Sequence, residues 1–235
     1  MPKISVIIPA YQSAGTISAT LTSLFSQTRQ PDEVVIVDDG STDNLLLAIQ
    51  PWSTKVQYIH QAQQGAPVAR NAGFAASNGE YVLFLDADIT MKPSMLETME
   101  AALVDHPQAD YAYSDHRFGW KAFHVWPYSF DRLQQMNYIH TSSLLRRGSF
   151  PGFDPSLKKF QDWDLWLTIA ERGGQGIWIP EMLYSIQPRK KGLGLSSWMP
   201  KFVYRLPFIG QGKGNAQVAA YRSAEAIIRE KHHLK

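Results

Sequence analysis

The chain has 235 residues, of which 44% are hydrophobic and 19% are charged, and its net charge is +2. This length suits one large domain, or one domain with an extension, that buries a substantial core. The small net charge gives no argument for nucleic-acid binding, and the lack of cysteine excludes disulfides and thiolate metal sites.

No segment reaches the roughly 18 uninterrupted apolar residues of a membrane span. The N-terminal segment enters a strand almost at once, which is too early for a secretory signal peptide. We therefore expect a cytoplasmic protein. Peripheral attachment at the inner face of the membrane stays open, because residues 198–213 mix aromatic side chains with lysine and arginine, as suits an anionic headgroup zone. Packing of that stretch on the sheet is the alternative.

In the first half, short apolar runs alternate with amphipathic segments, a pattern that predicts β-α-β units around a mainly parallel sheet. Strands are predicted at residues 4–8, 33–37, 56–59, 81–85 and 111–114. Helices are predicted at residues 14–27, 43–50, 66–78 and 94–105. The fold class is therefore α/β, with a Rossmann-like sheet flanked by helices.

The second half has a weaker pattern. Residues 116–160 are rich in aromatic side chains without a clear period, so no element is predicted there. A helix is predicted to follow Asp162, which would cap its N-terminus, and to stop at a pair of glycines. A last helix is predicted at 216–231, with His232 and His233 in an exposed tail, and the C-terminal fifth of the chain is basic.

Acidic side chains follow two of the predicted strands. Asp38 and Asp39 come after the second strand, and Asp86 and Asp88 come after the fourth. In open α/β sheets ligands bind outside the carboxyl ends of the strands, and residues two apart in extended chain point to the same side. Two carboxylates held together repel unless a cation lies between them or one is protonated, which favours a hard divalent ion. Taken separately, the two motifs would indicate only a turn and a solvated loop.

Four stretches, in this order, resemble the family 2 glycosyltransferases: SVIIPAYQ, VVIVDDGSTD, GAPVARNAGFAASNGEYVLFLDADI and QDWDLW. The resemblance covers about residues 3–185 and implies the GT-A fold, with an irregular acceptor-binding C-terminal part. It divides the chain into a nucleotide-sugar-binding α/β half (1–115), an acceptor-binding and catalytic-base part of the same domain (116–187), and a basic C-terminal extension (188–235).

The resemblance also implies roles for individual residues. Asp39 would bind the uracil or ribose, and Asp88 would ligate Mn2+ or Mg2+ on the diphosphate. Asp86 would bind the ribose or metal-bound water, or act as a second metal ligand. The residues expected at the nucleotide are Pro9, Ala10, Tyr11, Asp39, Arg70, Asn71 and Asp86.

The motif QDWDLW carries the candidate general base, Asp162, which would take the proton of the acceptor hydroxyl. Asp164 is a second candidate, and a purely structural role of Asp162 as a helix cap is the alternative. The family usually has Glu-Asp-Trp-Asp here, so Gln161 replaces an acid. The histidine that many relatives carry farther on is missing near Gln187, which leaves a basic cluster as candidate diphosphate partners: Arg189, Lys190 and Lys191.

These features predict a metal-dependent glycosyltransferase. It would move a sugar from a nucleotide-diphosphate donor, with uridine as the usual base of the family, to a hydroxyl of a glycan, glycolipid or other acceptor, with inversion. Two alternatives stay open. One is a degenerate glycosyltransferase-like binding module; the other is a haloacid dehalogenase-like phosphatase with Asp86 as nucleophile, although the order of the motifs disfavours it.

Overall fold

A nine-stranded sheet flanked by helices forms the part of the chain that the computed structural model describes, residues 2–188 and 213–234. For residues 213–218 the backbone alone is described. The strands are β1 (Ile4–Ala10), β2 (Glu33–Asp38), β3 (Gln57–His60), β4 (Tyr81–Phe84), β5 (Ile89–Met91), β6 (Tyr111–Phe118), β7 (Lys121–Phe123), β8 (Leu144–Arg146) and β9 (Gly176–Ile186). The helices are α1 (Ile17–Leu24), α2 (Leu45–Ile49), α3 (Ala66–Ala75), α4 (Met95–Asp105), α5 (Phe130–Gln135), α6 (Gln161–Glu171) and α7 (Lys213–Lys231). Short 3-10 turns lie at Gln50–Trp52 and Arg147–Ser149.

The strand order is β3-β2-β1-β4-β8-β6-β9-β5, with β7 paired to β6. Strands β3, β2, β1 and β4 run parallel, as the alternating pattern of the first half predicts. Strand β8 runs antiparallel to both of its neighbours, and β5 runs antiparallel to β9, whereas β6 and β9 pair in parallel. The predicted α/β fold around a mainly parallel sheet is confirmed, and the antiparallel strands lie beyond β4.

The central strands are buried on both faces, which is why they are continuous apolar runs in the sequence. Alternate side chains of β1 enter different clusters: Val6 and Ile8 pack with α1 and α4, whereas Ile7 packs on the other face with residues of β4 and α6. Helix α3 also lies on that second face. A Cβ at Gly73 would lie 2.4 Å from Cγ2 of Ile7, so only glycine allows α3 this close to the sheet.

Two predictions for the second half are wrong. Helix α6 begins at Gln161 and is preceded by Phe160 in a left-handed conformation (φ 59°, ψ 27°), so Asp162 lies in the first turn and is not the N-cap. His232 is only 6% exposed, because the end of α7 packs against α6, whereas His233 is exposed as expected. Within the described residues, no helix combines the length and apolar character that crossing a bilayer requires.

Candidate active site

Three residues predicted at the nucleotide pocket lie at the carboxyl end of β1. Pro9 and Ala10 are the last residues of the strand, and Tyr11 follows them. The N–H of Asp39 donates to the carbonyl of Ala10 at 2.8 Å, so the ends of β1 and β2 lie side by side. The structure thus brings these four residues to one edge of the sheet, and their contact with a nucleotide stays a prediction.

The two aspartates at the carboxyl end of β2, Asp38 and Asp39, are buried and bound by protein donors. Asp38 accepts hydrogen bonds from the N–H of Ser41 (2.8 Å) and the hydroxyl of Tyr58 (2.6 Å), and Nδ1 of His60 lies 3.1 Å from its Oδ2. Burial opposes the charge on Asp38, but the hydrogen bonds from Tyr58 and Ser41 outweigh burial and lower its pKa. Burial and the same hydrogen bond raise the pKa of Tyr58 to about 12.

Asp39 holds the segment that leads into α3. Its Oδ1 accepts from Nε2 of Gln61 (2.7 Å) and the N–H of Gln64 (2.8 Å), and its Oδ2 accepts from the N–H of Gly65 (2.7 Å). Hydrogen bonds to an ionised acceptor are about twice as strong as neutral ones. Asp39 therefore fixes the connection between β3 and α3 at the edge of the predicted pocket.

The turn after Asp39 is locked to the loop after β1. Gly40 has a φ of +77°, and a Cβ on it would lie 2.9 Å from the backbone nitrogen of Gln63, so this position requires glycine. The side-chain oxygen of Gln12 accepts from the N–H groups of Thr42 and Asp43 at 3.3 and 3.1 Å. The DDGSTD segment is thus a fixed turn, as its composition predicts.

A buried guanidinium joins α3, the end of β4 and α6. Arg70 is 5% exposed and donates through Nη2 to Oδ1 of Asp86 (2.7 Å) and through Nη1 to Oε1 of Gln161 (2.8 Å). Its guanidinium carbon also lies 5.2 Å from the centre of the Phe153 ring. Arginine keeps its charge at all ordinary pH values, and Gln161 is neutral. Among the described residues Asp86 is therefore the carboxylate that balances Arg70.

The second oxygen of Asp86 faces a partly buried histidine. Nε2 of His140 lies 3.9 Å from Oδ2 of Asp86, and Nδ1 of His140 accepts from the N–H of Ser142 (3.1 Å), so the neutral ring carries its proton on Nε2. Burial lowers the pKa of His140, and the charges of Asp86 and Asp162 oppose this effect. Burial and the same two carboxylates raise the pKa of Tyr184. Asp162 and Asp86 therefore act on one shared group of side chains, although they come from different elements.

Asp88 lies between β4 and β5. The N–H of Gln187 donates to its backbone carbonyl at 2.9 Å, which ties the end of β9 to the motif. Within residues 2–188 and 213–234 there is no group of three or more histidine, cysteine or acidic side chains arranged to hold a metal ion by itself. The carboxylates of Asp86 and Asp88 still suit Mn2+ or Mg2+, because such ions bind through one or two carboxylates and complete their shell with substrate phosphates and water.

A layer of stacked rings that no sequence motif indicates lies near His140. The ring of His116 is stacked between Phe123 and Tyr184, with centroid distances of 5.2 Å on both sides. Burial, followed by the nearby His140, lowers the pKa of His116 to about 3. No motif links these positions, and only the pairing of β6 with β7 and β9 brings them together.

Other predicted site residues have structural contacts or lie outside the described residues. Both polar atoms of the Asn71 side chain bind the backbone of Phe153, at 2.8 and 2.9 Å, and so join α3 to the segment before α6. Asp164, the second candidate base, is buried and accepts from Lys231 and His232. The basic residues Arg189, Lys190 and Lys191 lie outside the described residues, as does nearly all of the stretch 198–213.

The family model Glycosyl transferase family 2 matches residues 5–158 of this chain. A curated relative, the uncharacterized glycosyltransferase YibD of Escherichia coli (strain K12), is 35% identical over 155 residues, which make up 62% of this chain. The chain spans less than half the length of this relative, since the match covers 44% of it.

Two solved structures share the fold at low sequence identity. The structure of S. aureus TarS 1-349 in complex with UDP-GlcNAc has a TM-score of 0.70 and 22% identity, and the match covers 84% of this chain and 62% of that one. The mannosyltransferase PcManGT from Pyrobaculum calidifontis, in complex with GDP-Man and Mn2+, has a TM-score of 0.67 and 22% identity, with 97% and 70% coverage. These likenesses identify the architecture as the GT-A fold.

Proposed function

The chain belongs to glycosyl transferase family 2, and from this premise we propose that it transfers a sugar from a nucleotide-diphosphate donor to an acceptor hydroxyl. One observation carries the proposal: Arg70 donates hydrogen bonds both to Asp86, which follows β4, and to Gln161 at the N-terminus of α6. In the proposal, this contact would keep the candidate base, Asp162, near the candidate diphosphate site at Asp86 and Asp88. Both are needed for the reaction.

The donor would bind at the edge formed by the ends of β1, β2 and β4. Pro9, Ala10 and Tyr11 would line the pocket for the base, and Asp39 would border it while fixing the loop before α3. The solved structures that share the fold contain UDP-GlcNAc and GDP-Man, which supports a nucleotide-sugar donor and leaves the base open. We propose UDP-sugar as the first donor class to test, from the usual preference of the family.

Asp88 and the Oδ2 side of Asp86 would hold Mn2+ or Mg2+. When bound, such an ion neutralises the charge that develops on the leaving diphosphate. Asp86 would keep its ion pair with Arg70 at the same time, since that pair uses the other oxygen. The Mn2+ bound in the related fold of PcManGT supports this assignment.

Asp162 would act as the general base. Its Oδ1 accepts a hydrogen bond from the N–H of the next residue, Trp163 (3.0 Å), and its charge acts on His140 together with that of Asp86. In the proposed step Asp162 takes the proton of the acceptor hydroxyl, the oxygen forms a bond to the anomeric carbon, and the bond from that carbon to the diphosphate breaks. A single displacement of this kind inverts the configuration.

Calorimetric titration of the purified chain with UDP, GDP, dTDP and CDP, each with and without Mn2+, tests the donor site. We expect one nucleotide to bind tightly in the presence of metal and this binding to be lost in Asp88→Ala. Asp105→Ala is the matched control, because Asp105 is an exposed carboxylate at the end of α4. The absence of nucleotide binding under all conditions would contradict the proposal and favour a binding module without transferase activity.

The phosphatase alternative has weaker support. Its nucleophile would be Asp86, whose carboxylate is bound to the fixed charge of Arg70 at 2.7 Å. A permanent cation on one oxygen of a carboxylate lowers the nucleophilicity of the whole group. Release of phosphate from p-nitrophenyl phosphate, lost in Asp86→Asn, is the result that would restore this alternative.

A further inference from the structure

The C-terminal end of helix α7 packs against α6, the helix that carries the candidate base. Ile228 is fully buried in the same apolar cluster as Trp163 and Trp166 of α6. The guanidinium of Arg229 lies over the ring of Trp163, 5.9 Å from its centre. The match to the family model stops at residue 158, before both helices. The docking of α7 is thus a feature of this chain that the family match does not cover.

Two cations at the end of α7 converge on one carboxylate of α6. Nζ of Lys231 lies 2.8 Å from Oδ1 of Asp164 and 2.7 Å from Oδ2 of Asp154. Nε2 of His232 lies 2.8 Å from Oδ1 of Asp164, and its Nδ1 lies 2.8 Å from Oε1 of Glu171. Both ring nitrogens therefore face carboxylate oxygens, one near each end of α6.

Two carboxylates of α6, those of Asp164 and Glu171, balance a positive charge on the imidazole of His232. Burial opposes the charge on His232, but the hydrogen bonds to Asp164 and Glu171 outweigh burial and raise its pKa. Lys231 adds a second positive charge at Asp164. Removing the imidazole would leave Glu171 without this partner and Asp164 with Lys231 alone.

The same helix also contacts the strained residue before α6. Phe160 has a left-handed backbone, which a bulky residue adopts only when its surroundings impose it. Its ring packs edge-on against Trp163 of α6 and Tyr221 of α7, at centroid distances of 5.6 and 5.0 Å. Helix α7 therefore contacts both sides of Asp162 along the chain, at Phe160 and at Asp164.

We propose that His232 is a positioning residue, which fixes the first turns of α6 through Asp164 and thereby holds the carboxylate of Asp162 toward the acceptor. This inference rests on the proposed function, in which Asp162 is the base. A misplacement of about 1 Å in a catalytic group can lower the rate by about 100-fold. A small relaxation of α6 would therefore be visible in turnover before it is visible in overall folding.

The test compares His232→Ala with a change at the adjacent exposed histidine, His233→Asn. Asparagine is chosen for the control because residue 233 has a φ of 50°, a conformation that asparagine tolerates. We expect His232→Ala to lower kcat of transfer about 10- to 100-fold while the donor KM stays within about twofold. His232→Gln, which keeps a donor near the position of Nε2, should recover part of the loss.

Amide hydrogen exchange of the first turns of α6 gives a readout that does not depend on activity. We expect faster exchange at residues 162–165 in His232→Ala and unchanged exchange in His233→Asn. If the alanine variant does not fold, Glu171→Gln provides the second test, because it weakens the hold on His232 and leaves Asp164 intact.

The possible outcomes separate the two proposals. Unchanged kcat and unchanged exchange in His232→Ala would overturn the positioning role. Equal losses in both histidine variants would also overturn it. A wild-type chain that binds nucleotide but transfers no sugar would overturn the proposed reaction. Faster exchange in α6 of His232→Ala would still support the positioning contact in that case.

Discussion

The carboxyl ends of β2 and β4 each carry two aspartates, yet the two pairs have different surroundings. Asp38 and Asp39 are both 4% exposed, and backbone and side-chain donors of the protein bind their oxygens. The side chain of Asp86 is 29% exposed, pairs with the guanidinium of the buried Arg70, and faces Nε2 of His140 at 3.9 Å. Equal residue types at equivalent places in a parallel sheet therefore serve different purposes.

The two groups differ in how their carboxylates are bound by the protein. At the end of β2 the protein supplies the hydrogen-bond donors, so the carboxylates stabilise a turn and a loop. At the end of β4 the side chain of Asp86 pairs with the guanidinium of Arg70 and stays partly exposed, so a cation can also approach it. The comparison predicts that substitutions of Asp38 and Asp39 act on stability and that substitutions of Asp88 and Asp162 act on ligand binding and turnover, whereas a substitution of Asp86 also costs stability through Arg70.

The largest expected effect is that of Asp162→Asn. This change keeps the size of the side chain and removes its ability to take a proton, so kcat of transfer should fall about 100- to 10,000-fold. Nucleotide affinity and the melting temperature should stay close to those of the wild type. Steady-state kinetics and calorimetry check both parts, with Asp131→Asn on the exposed side of α5 as the control. Normal turnover in Asp162→Asn would refute the base assignment.

Substitutions of the two aspartates that follow β4, Asp86 and Asp88, should have different effects on stability and ligand binding. Asp86→Asn leaves the buried charge of Arg70 without its carboxylate, and the loss of one partner of a buried ion pair costs about 3 kcal/mol. Asp88→Asn leaves the pair of Arg70 with Asp86 in place and should weaken metal-dependent nucleotide binding. Denaturant unfolding without metal, compared for both variants, measures the contrast.

A substitution of Gln161 tests whether Asp86 is the counter-ion of Arg70, because it can restore the stability that Asp86→Asn loses. Gln161→Glu would place a carboxylate on the other arm of Arg70, where the amide oxygen now lies 2.8 Å away. In the Asp86→Asn background this second change should restore at least half of the lost free energy of unfolding. In the wild type it should change stability little, because Asp86 already balances the charge. A double variant that is no more stable than Asp86→Asn would contradict the counter-ion role of Asp86.

Asp39→Asn should affect stability by a smaller amount. The asparagine oxygen can still accept hydrogen bonds at one of the two positions. The NH2 group at the other position would face the N–H of Gln64 or Gly65, which would then lose its acceptor. An unsatisfied buried donor costs about 1 to 3 kcal/mol, so we expect a loss of about 2 kcal/mol and faster amide exchange at residues 64 and 65. Unchanged exchange there would contradict the framing role of Asp39.

The sequence predicts the first pair well because its signals are local. Apolar runs mark the strands, and the aspartates and Gly40 that follow them mark a turn at the sheet edge. The strands β1 to β4 and the helices α1 to α4 lie where the sequence pattern predicts them, with ends that differ by up to about three residues, for the same reason. Strands β7 and β8 have three residues each, which is too short for any period to appear.

The second group depends on contacts between distant parts of the chain. Arg70 and Gln161 are 91 residues apart, and Asp164 and His232 are 68 apart. No local pattern shows that a glutamine will face an arginine, or that a histidine near the C-terminus will be buried on α6. The pair of Asp86 with Arg70 and the contact of His232 with Asp164 therefore come from tertiary packing and not from local sequence.

The smallest effect, and the one that depends on pH, is that of Tyr58→Phe. This change removes the 2.6 Å hydrogen bond to Asp38 and should lower the free energy of unfolding by about 1 kcal/mol at neutral pH. The pKa of Asp38 is below its ordinary value of 3.8 in the folded chain, so its stabilising contribution is present above pH 3.8 and disappears as the pH falls through the folded pKa. The two proteins should therefore differ above about pH 4 and converge in acid, because Asp38 is then protonated in both. Urea unfolding at pH 7 and at several pH values below 3.8 measures this, and a difference that does not shrink as the pH falls would show that the hydroxyl of Tyr58 stabilises the fold independently of the charge of Asp38.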